Sequence, residues 1–140
     1  MYRNILIAHD GSEGAQKAFD AAVELASHLQ AKLHMISVEE YLPCHTLTID
    51  EVAEEKELED SYFGQLGEQC KRRAALKSVR LECTIIPGHE VKAIVEFAHQ
   101  ESFDLLVVGF TGHSKIYDYL WGGTSQNLAR LSPCPVLVVK

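Results

Sequence analysis

At 140 residues with a net charge of −7, the chain is long enough for one full hydrophobic core and too short for two. Its 46% apolar and 24% charged residues are those of a folding globular sequence, and the acidic balance argues against a nucleic-acid footprint, which needs clustered Lys and Arg. No leader-like segment opens the chain and no apolar run approaches the ~20 residues of a membrane helix, so a cytoplasmic protein with no membrane partner is expected over a single domain, residues 1–140.

Ile5 to Ala8 is a continuous apolar run, the pattern of a strand covered on both faces. His9-Asp10-Gly11-Ser12 then reads as a sharp turn, with Ser12 as helix N-cap. Ala18, Ala22, Leu25, Ala26 and Leu29 recur at helical period and predict an amphipathic helix. A second strand is expected over Leu33 to Val38, followed by a looser stretch through Tyr41-Leu42-Pro43-Cys44.

Thr48 and Glu51 have capping-box spacing, so a helix starts there. Seven acidic residues against one lysine between Asp50 and Asp60 predict a solvated first half. From Leu58 the stripe Tyr62, Leu66, Cys70, Ala74 predicts a core-facing side, weakened by Gly64 and Gly67. Lys71-Arg72-Arg73, the densest basic cluster, reads as a solvated face of that helix.

Val79, Leu81, Cys83 and Ile85 alternate with Arg80, Glu82 and Thr84, as in an edge strand with one wet face. Pro87-Gly88 turns the chain into a helix with Val91, Ile94, Val95 and Ala98 inward. Leu105 to Val108 is a second fully apolar strand, ending at Gly109; a long crossover with a helix from about Thr124 to Leu131 leads into Val136 to Val139. Four cysteines, Cys44, Cys70, Cys83 and Cys134, show no CxxC spacing and read as free thiols, and Cys44-His45 has the wrong spacing for a zinc ligand pair.

Strands alternating with helices across links of this length predict a parallel sheet covered on both faces. The two most apolar strands, Ile5 to Ala8 and Leu105 to Val108, belong in its middle. If they lie side by side and their crossovers leave in opposite directions, a crevice opens beyond their carboxyl ends.

The chemistry-bearing segment flanks that crevice. Gly109-Phe110-Thr111-Gly112 follows the fourth strand, and Gly122-Gly123-Thr124-Ser125 opens the last helix. Glycines let main-chain N–H groups approach an anion, and a helix N-terminus adds unpaired donors. Equally, each glycine has a plain role ending a strand, making a turn or relieving a tight junction. Neither the Walker pattern nor the dinucleotide fingerprint is present.

The order G-x2-G-x9-G, then a helix and a P-V-L-V-V strand, resembles the nucleotide loop of ATP-binding universal stress proteins. Asn4-Ile5-Leu6-Ile7-Ala8-His9-Asp10-Gly11-Ser12 and Cys134-Pro135-Val136-Leu137-Val138-Val139 extend the resemblance over essentially the whole chain. It implies a doubly wound α/β fold like that of the adenine nucleotide alpha hydrolases, with five parallel strands in the order 3-2-1-4-5. It further implies that Asp10 and the backbone of Ala8 meet adenine and ribose, and that Val38 lines the adenine pocket. Gly109, Thr111 and Gly112 would bracket the ribose and first phosphates, with Gly122, Gly123 and Thr124 on the outer phosphates.

ATP or another adenine nucleotide is thus the expected ligand, with Mg²⁺ (or Mn²⁺) riding on the phosphates. The hydroxyl that the family places directly after Gly122 is replaced here by Gly123, with Thr124 and Ser125 displaced by one and two positions. Ser125 is the candidate substitute. No catalytic set assembles around His9, His113 or Lys115, so at most a weak ATPase is expected, in a stress or signalling role. The apolar last strand, an aggregation hazard if left bare, predicts a homodimer through Val136 to Val139, as in family members resembling this chain. The alternatives are a nucleotide-free dimeric interaction protein with a disabled site, or an adenylyl-transfer or ATP pyrophosphatase relative. The latter lacks its S-G-G-x-D-S style loop, which here reads His9-Asp10-Gly11-Ser12.

Overall fold

The computed structural model describes residues 1–40, 48–110 and 123–140. Strand and helix alternate as β1 (Asn4–Ala8), α1 (Glu13–Leu29), β2 (Lys32–Glu39), α2 (Ile49–Ala75), β3 (Leu81–Pro87), α3 (Glu90–Gln100), β4 (Leu105–Gly109), α4 (Thr124–Leu131) and β5 (Val136–Val139). All strand pairs are parallel, in the order β3-β2-β1-β4-β5. The two fully apolar runs are neighbours, with Ile5 opposite Leu105 and Ile7 opposite Val107. Their starts are tied by Asp104, whose carboxylate accepts the Arg3 and Asn4 N–H groups at 2.9 and 3.1 Å.

Because side chains alternate along a strand, each central strand feeds two cores. Ile5 and Ile7 pack with Phe19, Val23 and Ala26 of α1 and Cys70 and Ala74 of α2, whereas Leu6 joins Ile94 and Ala98 of α3 and Leu128 of α4. Helices therefore cover both faces. No described helix is long and apolar enough to cross a membrane.

Local signals set the helix ends. Ser12 Oγ accepts from the Ala15 N–H at 3.2 Å, and Thr48 with Glu51 forms a complete capping box. α1 stops where Gln30 turns left-handed at φ 52° and Ala31 donates back to the Ala26 carbonyl at 2.9 Å. The acidic stretch after Thr48 is helical throughout, and α2 runs unbroken past Gly64 and Gly67.

Three expectations are corrected. Leu29 is 43% exposed, and Phe19 and Val23 supply the α1 core face along with the alanines. On α2 the inward aromatic is Phe63; Tyr62 is half exposed, and Leu58 is exposed. Adjacent residues on a helix differ by about 100°, so only one of two neighbouring aromatics can face the sheet. Arg73 is not simply a solvated cation, since its guanidinium pairs with Asp20 and lies 5.5 Å from the Phe19 ring centroid, strapping α2 to α1. The third strand is indeed a sheet edge, and Cys70, Cys83 and Cys134 are free thiols.

Candidate functional site

β1 and β4 are the pair at which the strand order reverses. The chain leaves β1 through α1 on one face of the sheet, and returns to β5, beside β4, through α4 on the other. Ligands of open α/β sheets bind beyond the carboxyl ends of such a pair. Ala8 and Gly109 end these two strands.

The β1–α1 loop is held by its own polar groups. His9 donates its N–H to the Ile36 carbonyl at 3.0 Å, its carbonyl accepts the Ser37 hydroxyl at 2.8 Å, and its Nδ1 accepts the Gly11 N–H at 3.0 Å. With Nδ1 an acceptor, the ring proton of the neutral imidazole resides on Nε2. The ring is 2% exposed; burial pushes its pKa down from the ordinary 6.5, against an upward pull from the Asp10 carboxylate. His9 is thus a pillar of the loop. Asp10 Oδ1 accepts the Ser12 N–H at 2.9 Å in an Asx turn that presents Ser12 to cap α1.

Gly11 sits at φ +86°, where a side chain is strained, and a Cβ there would lie 1.9 Å from the Tyr62 hydroxyl oxygen. Tyr62 therefore rests on the loop one residue from Asp10, a neighbour the sequence pattern did not suggest.

Val38 owes its position to strand parity. The Ile36 carbonyl points to β1, where it accepts His9, and the Glu39 carbonyl points the other way, accepting the Gly88 N–H at 2.9 Å. Main-chain groups alternate sides along a strand, so Val38 turns its N–H and carbonyl toward β1. The β1–β2 register ends at Ala8 opposite Ile36, and Val38 lies two residues farther on. Its polar groups are aimed into the gap that β1 leaves as it turns away. Next to it Glu39, 5% exposed, places a buried carboxylate at the end of β2; in the sequence only its place in the Glu39-Glu40 pair closing the strand marked it.

At β4, an ideal Cβ on Gly109 would lie 2.5 Å from both C and O of Gly14 and 2.8 Å from the Ala15 nitrogen. Gly109 is there because the first turn of α1 crosses it. Beyond it, Phe110 donates its N–H to the Val139 carbonyl at 2.9 Å. α4 begins with Gly123 as N-cap (φ −55°, ψ 172°) and has no side-chain cap. Thr124 is half buried in its first position and Ser125 is 7% exposed in the second.

As α4 packs on β4 and β5 and leads into a parallel strand, its amino end lies at the carboxyl pole of the sheet. Ala8, Asp10, Val38, Gly109, Gly123, Thr124 and Ser125 thus converge on one pole. Thr111, Gly112 and Gly122, together with His113, Lys115, Tyr117, Tyr119, Trp121, Cys44 and His45, lie outside the described residues. Among the described residues no group of three or more His, Cys, Asp and Glu side chains could hold a metal ion.

Comparison with known proteins agrees with this architecture. The Universal stress protein family model matches residues 1–140. Universal stress protein YxiE of Bacillus subtilis is 33% identical over 153 aligned positions, covering 100% of both chains. Universal stress protein UspA from Lactobacillus plantarum superposes with a TM-score of 0.90 at 30% identity, covering 99% of this chain and 98% of that one. A universal stress protein solved in complex with cAMP superposes with a TM-score of 0.77 at 28% identity, covering 99% and 97%. By sequence and fold together, this chain belongs to the universal stress protein family.

Proposed function

We propose that the crevice at the carboxyl ends of β1 and β4 binds an adenine nucleotide, with ATP carrying Mg²⁺ on its phosphates as the physiological form. The observation that carries this reading is the start of α4. A serine or threonine N-cap would direct its hydroxyl to the N–H groups of the first turn, but Gly123 has none and makes no side-chain cap among the described residues. Those donors, with the positive end of the helix dipole, suit an anion. The glycine that departs from the family pattern thus removes one hydroxyl contact while the main-chain N–H groups of the helix start are retained.

The other residues fit the same ligand. Val38 offers one main-chain donor and one acceptor, the pair an adenine edge requires, and Ala8 borders the same gap. Asp10, at the mouth of the same gap, would meet the ribose hydroxyls as the family resemblance implies. By the family resemblance Gly109, Thr111 and Gly112 would bracket the ribose and first phosphates, while Gly122, Gly123 and Thr124, with Ser125 as substitute hydroxyl, would take the outer phosphates. The cAMP bound to a 28% identical relative supports the adenine class. ATP hydrolysis needs a base or a group that positions water. His9 is buried and its Nδ1 is engaged by Gly11, so binding with at most slow turnover follows. The protein then acts as a nucleotide-responsive stress or signalling module, paired into a homodimer through Val136 to Val139.

Calorimetric titration with ATP, AMP and cAMP, with mass spectrometry of any ligand released from gently purified protein, tests the proposal. Saturable heat with ATP that weakens when Asp10 is replaced by Ala is expected. No nucleotide and no heat at millimolar concentrations would overturn it. Should Gly123→Ser then acquire binding that the natural chain lacks, the disabled-site reading takes its place.

A further inference from the structure

At the opposite pole of the sheet, the amino ends of β1, β2 and β3 and the carboxyl ends of α1 and α2 enclose a cavity of about 650 Å³. Its floor is apolar, made by Ala26, Leu33 and Val79, all buried. Its rim carries Lys32, Lys77 and Arg80. The only carboxylate in its lining, Glu82, lies 3.6 Å from His34 and stands against the three cations. None of the three rim cations forms an ion pair among the described residues, although the chain has 20 acidic residues to 13 basic ones. Three cations against one carboxylate in the lining reverse the acidic balance of the chain as a whole.

The helix ends beside the cavity do not account for the cations. A basic residue near a helix carboxyl end commonly serves bare carbonyls. At this pole several of those carbonyls have partners. The Ala26 carbonyl accepts from Ala31 at 2.9 Å, the Ala74 carbonyl from Lys77 and Val79, both at 3.0 Å, and the Lys77 carbonyl from the Ser27 hydroxyl at 3.3 Å. Gln30 and Ser78 close the two helices in left-handed conformations, φ 52° and 58°. The ammonium and guanidinium groups are therefore available to something outside the chain.

We propose that this cavity is a second ligand site, distinct from the nucleotide crevice, which takes a small organic anion: a carboxylate or phosphate ester whose apolar body rests on Leu33 and Val79. The volume suits a metabolite-sized molecule, since ligand pockets run to about 300–1,000 Å³. Arg80 supplies the planar fork that matches carboxylate or phosphate, with Lys32 and Lys77 as point charges beside it. Both walls are ends of α1 and α2, and those same helices border the β1–α1 loop at the other pole, through Ser12 and Tyr62.

The test is a backbone amide NMR titration of the full chain at low ionic strength, with citrate as the carboxylate probe and glycerol 3-phosphate as the phosphate probe. Saturable shifts are expected at Leu33, Ser78 and Val79, with the preferred probe naming the ligand class. The double variant Lys77→Gln, Arg80→Gln should weaken that binding by about tenfold or more, since each lost charged contact is among the strong ones. Its unfolding midpoint serves as the folding control, and the charge-conserving single variant Lys77→Arg should retain binding. Non-saturable shifts, equal binding in the double variant, or shifts confined to Val38 and Gly123 at the nucleotide pole would each overturn the proposal. An empty nucleotide crevice in calorimetry would leave it standing.

Discussion

Replacing Gly109 by alanine probes the junction on which the crevice is built. The added Cβ would meet three main-chain atoms of Gly14 and Ala15 at 2.5 to 2.8 Å, where non-bonded carbons prefer about 3.5–4.0 Å. None of those atoms is the tip of a flexible side chain, so relief requires α1 to move off β4 by about 1 Å. α1 carries Ala15, Ala18, Phe19 and Ala22, all buried, and cannot shift without loosening that layer. Overpacking of this kind costs about 1–3 kcal/mol, and a backbone clash belongs at the upper end. With urea slopes of about 1–3 kcal/mol per molar, the unfolding midpoint should fall by about 1–2 M with the slope unchanged. Gly64→Ala is the matched control: nothing lies within 4 Å of its Cβ position, so it should gain about 0.5–1 kcal/mol from helix propensity. A Gly109→Ala midpoint equal to that of the natural chain would refute the packing argument.

Two further outcomes follow from buried titratable groups. His9 and His34 are both pushed below 6.5, chiefly by burial, with Glu82 and Glu101 pulling His34 back up and Asp10 doing so for His9. His34 also hydrogen-bonds the Thr84 hydroxyl at 2.6 Å and packs against Phe97 and Phe103. The unfolded chain then takes up protons first, so stability is full above 6.5 and declines as pH falls below it toward the lowered native values. Urea midpoints measured across that window should drop on acidification, and less steeply in His34→Gln; a flat profile would contradict the burial of both rings. Cys70, 1% exposed with its thiol pushed up to about 11 by burial, should resist alkylation at neutral pH until the chain unfolds, as read by mass spectrometry of iodoacetamide-treated protein. Fast modification of the native chain would show that α2 does not seal it.

What the sequence made legible was whatever depends on local pattern. β1 and β4 are continuous apolar runs because both of their faces are covered, and β3 alternates because one of its faces is partly wet. The caps at Ser12 and Thr48 were readable because a cap acts within three residues. The rotation of α2 was not. Tyr62 and Phe63 are equally aromatic, and what separates them is a loop distant in sequence, where Gly11 leaves room for the Tyr62 hydroxyl while Phe63 turns to the core. The same holds for the Ser37 hydroxyl on the His9 carbonyl and for Lys32, Lys77 and Arg80 around one cavity. Such groupings exist only once the strand order has brought the ends of β1, β2 and β3 side by side.

Gly109 shows why a glycine motif cannot be read as a ligand signature alone. It is the first glycine of the G-x2-G-x9-G pattern, yet its missing side chain is accounted for by Gly14 and Ala15 of α1 before any phosphate is considered. A chain with this fold would keep that glycine even if its crevice were empty. Gly123 is different in kind. Its backbone, at φ −55° and ψ 172°, is an ordinary N-cap conformation that needs no left-handed turn, so backbone strain does not account for a glycine there. Serine there would gain only about 0.3 kcal/mol over glycine, which is itself a tolerated N-cap. Contact with α1 thus accounts for Gly109, whereas backbone conformation alone does not account for Gly123, and the two glycines of one motif carry different weight.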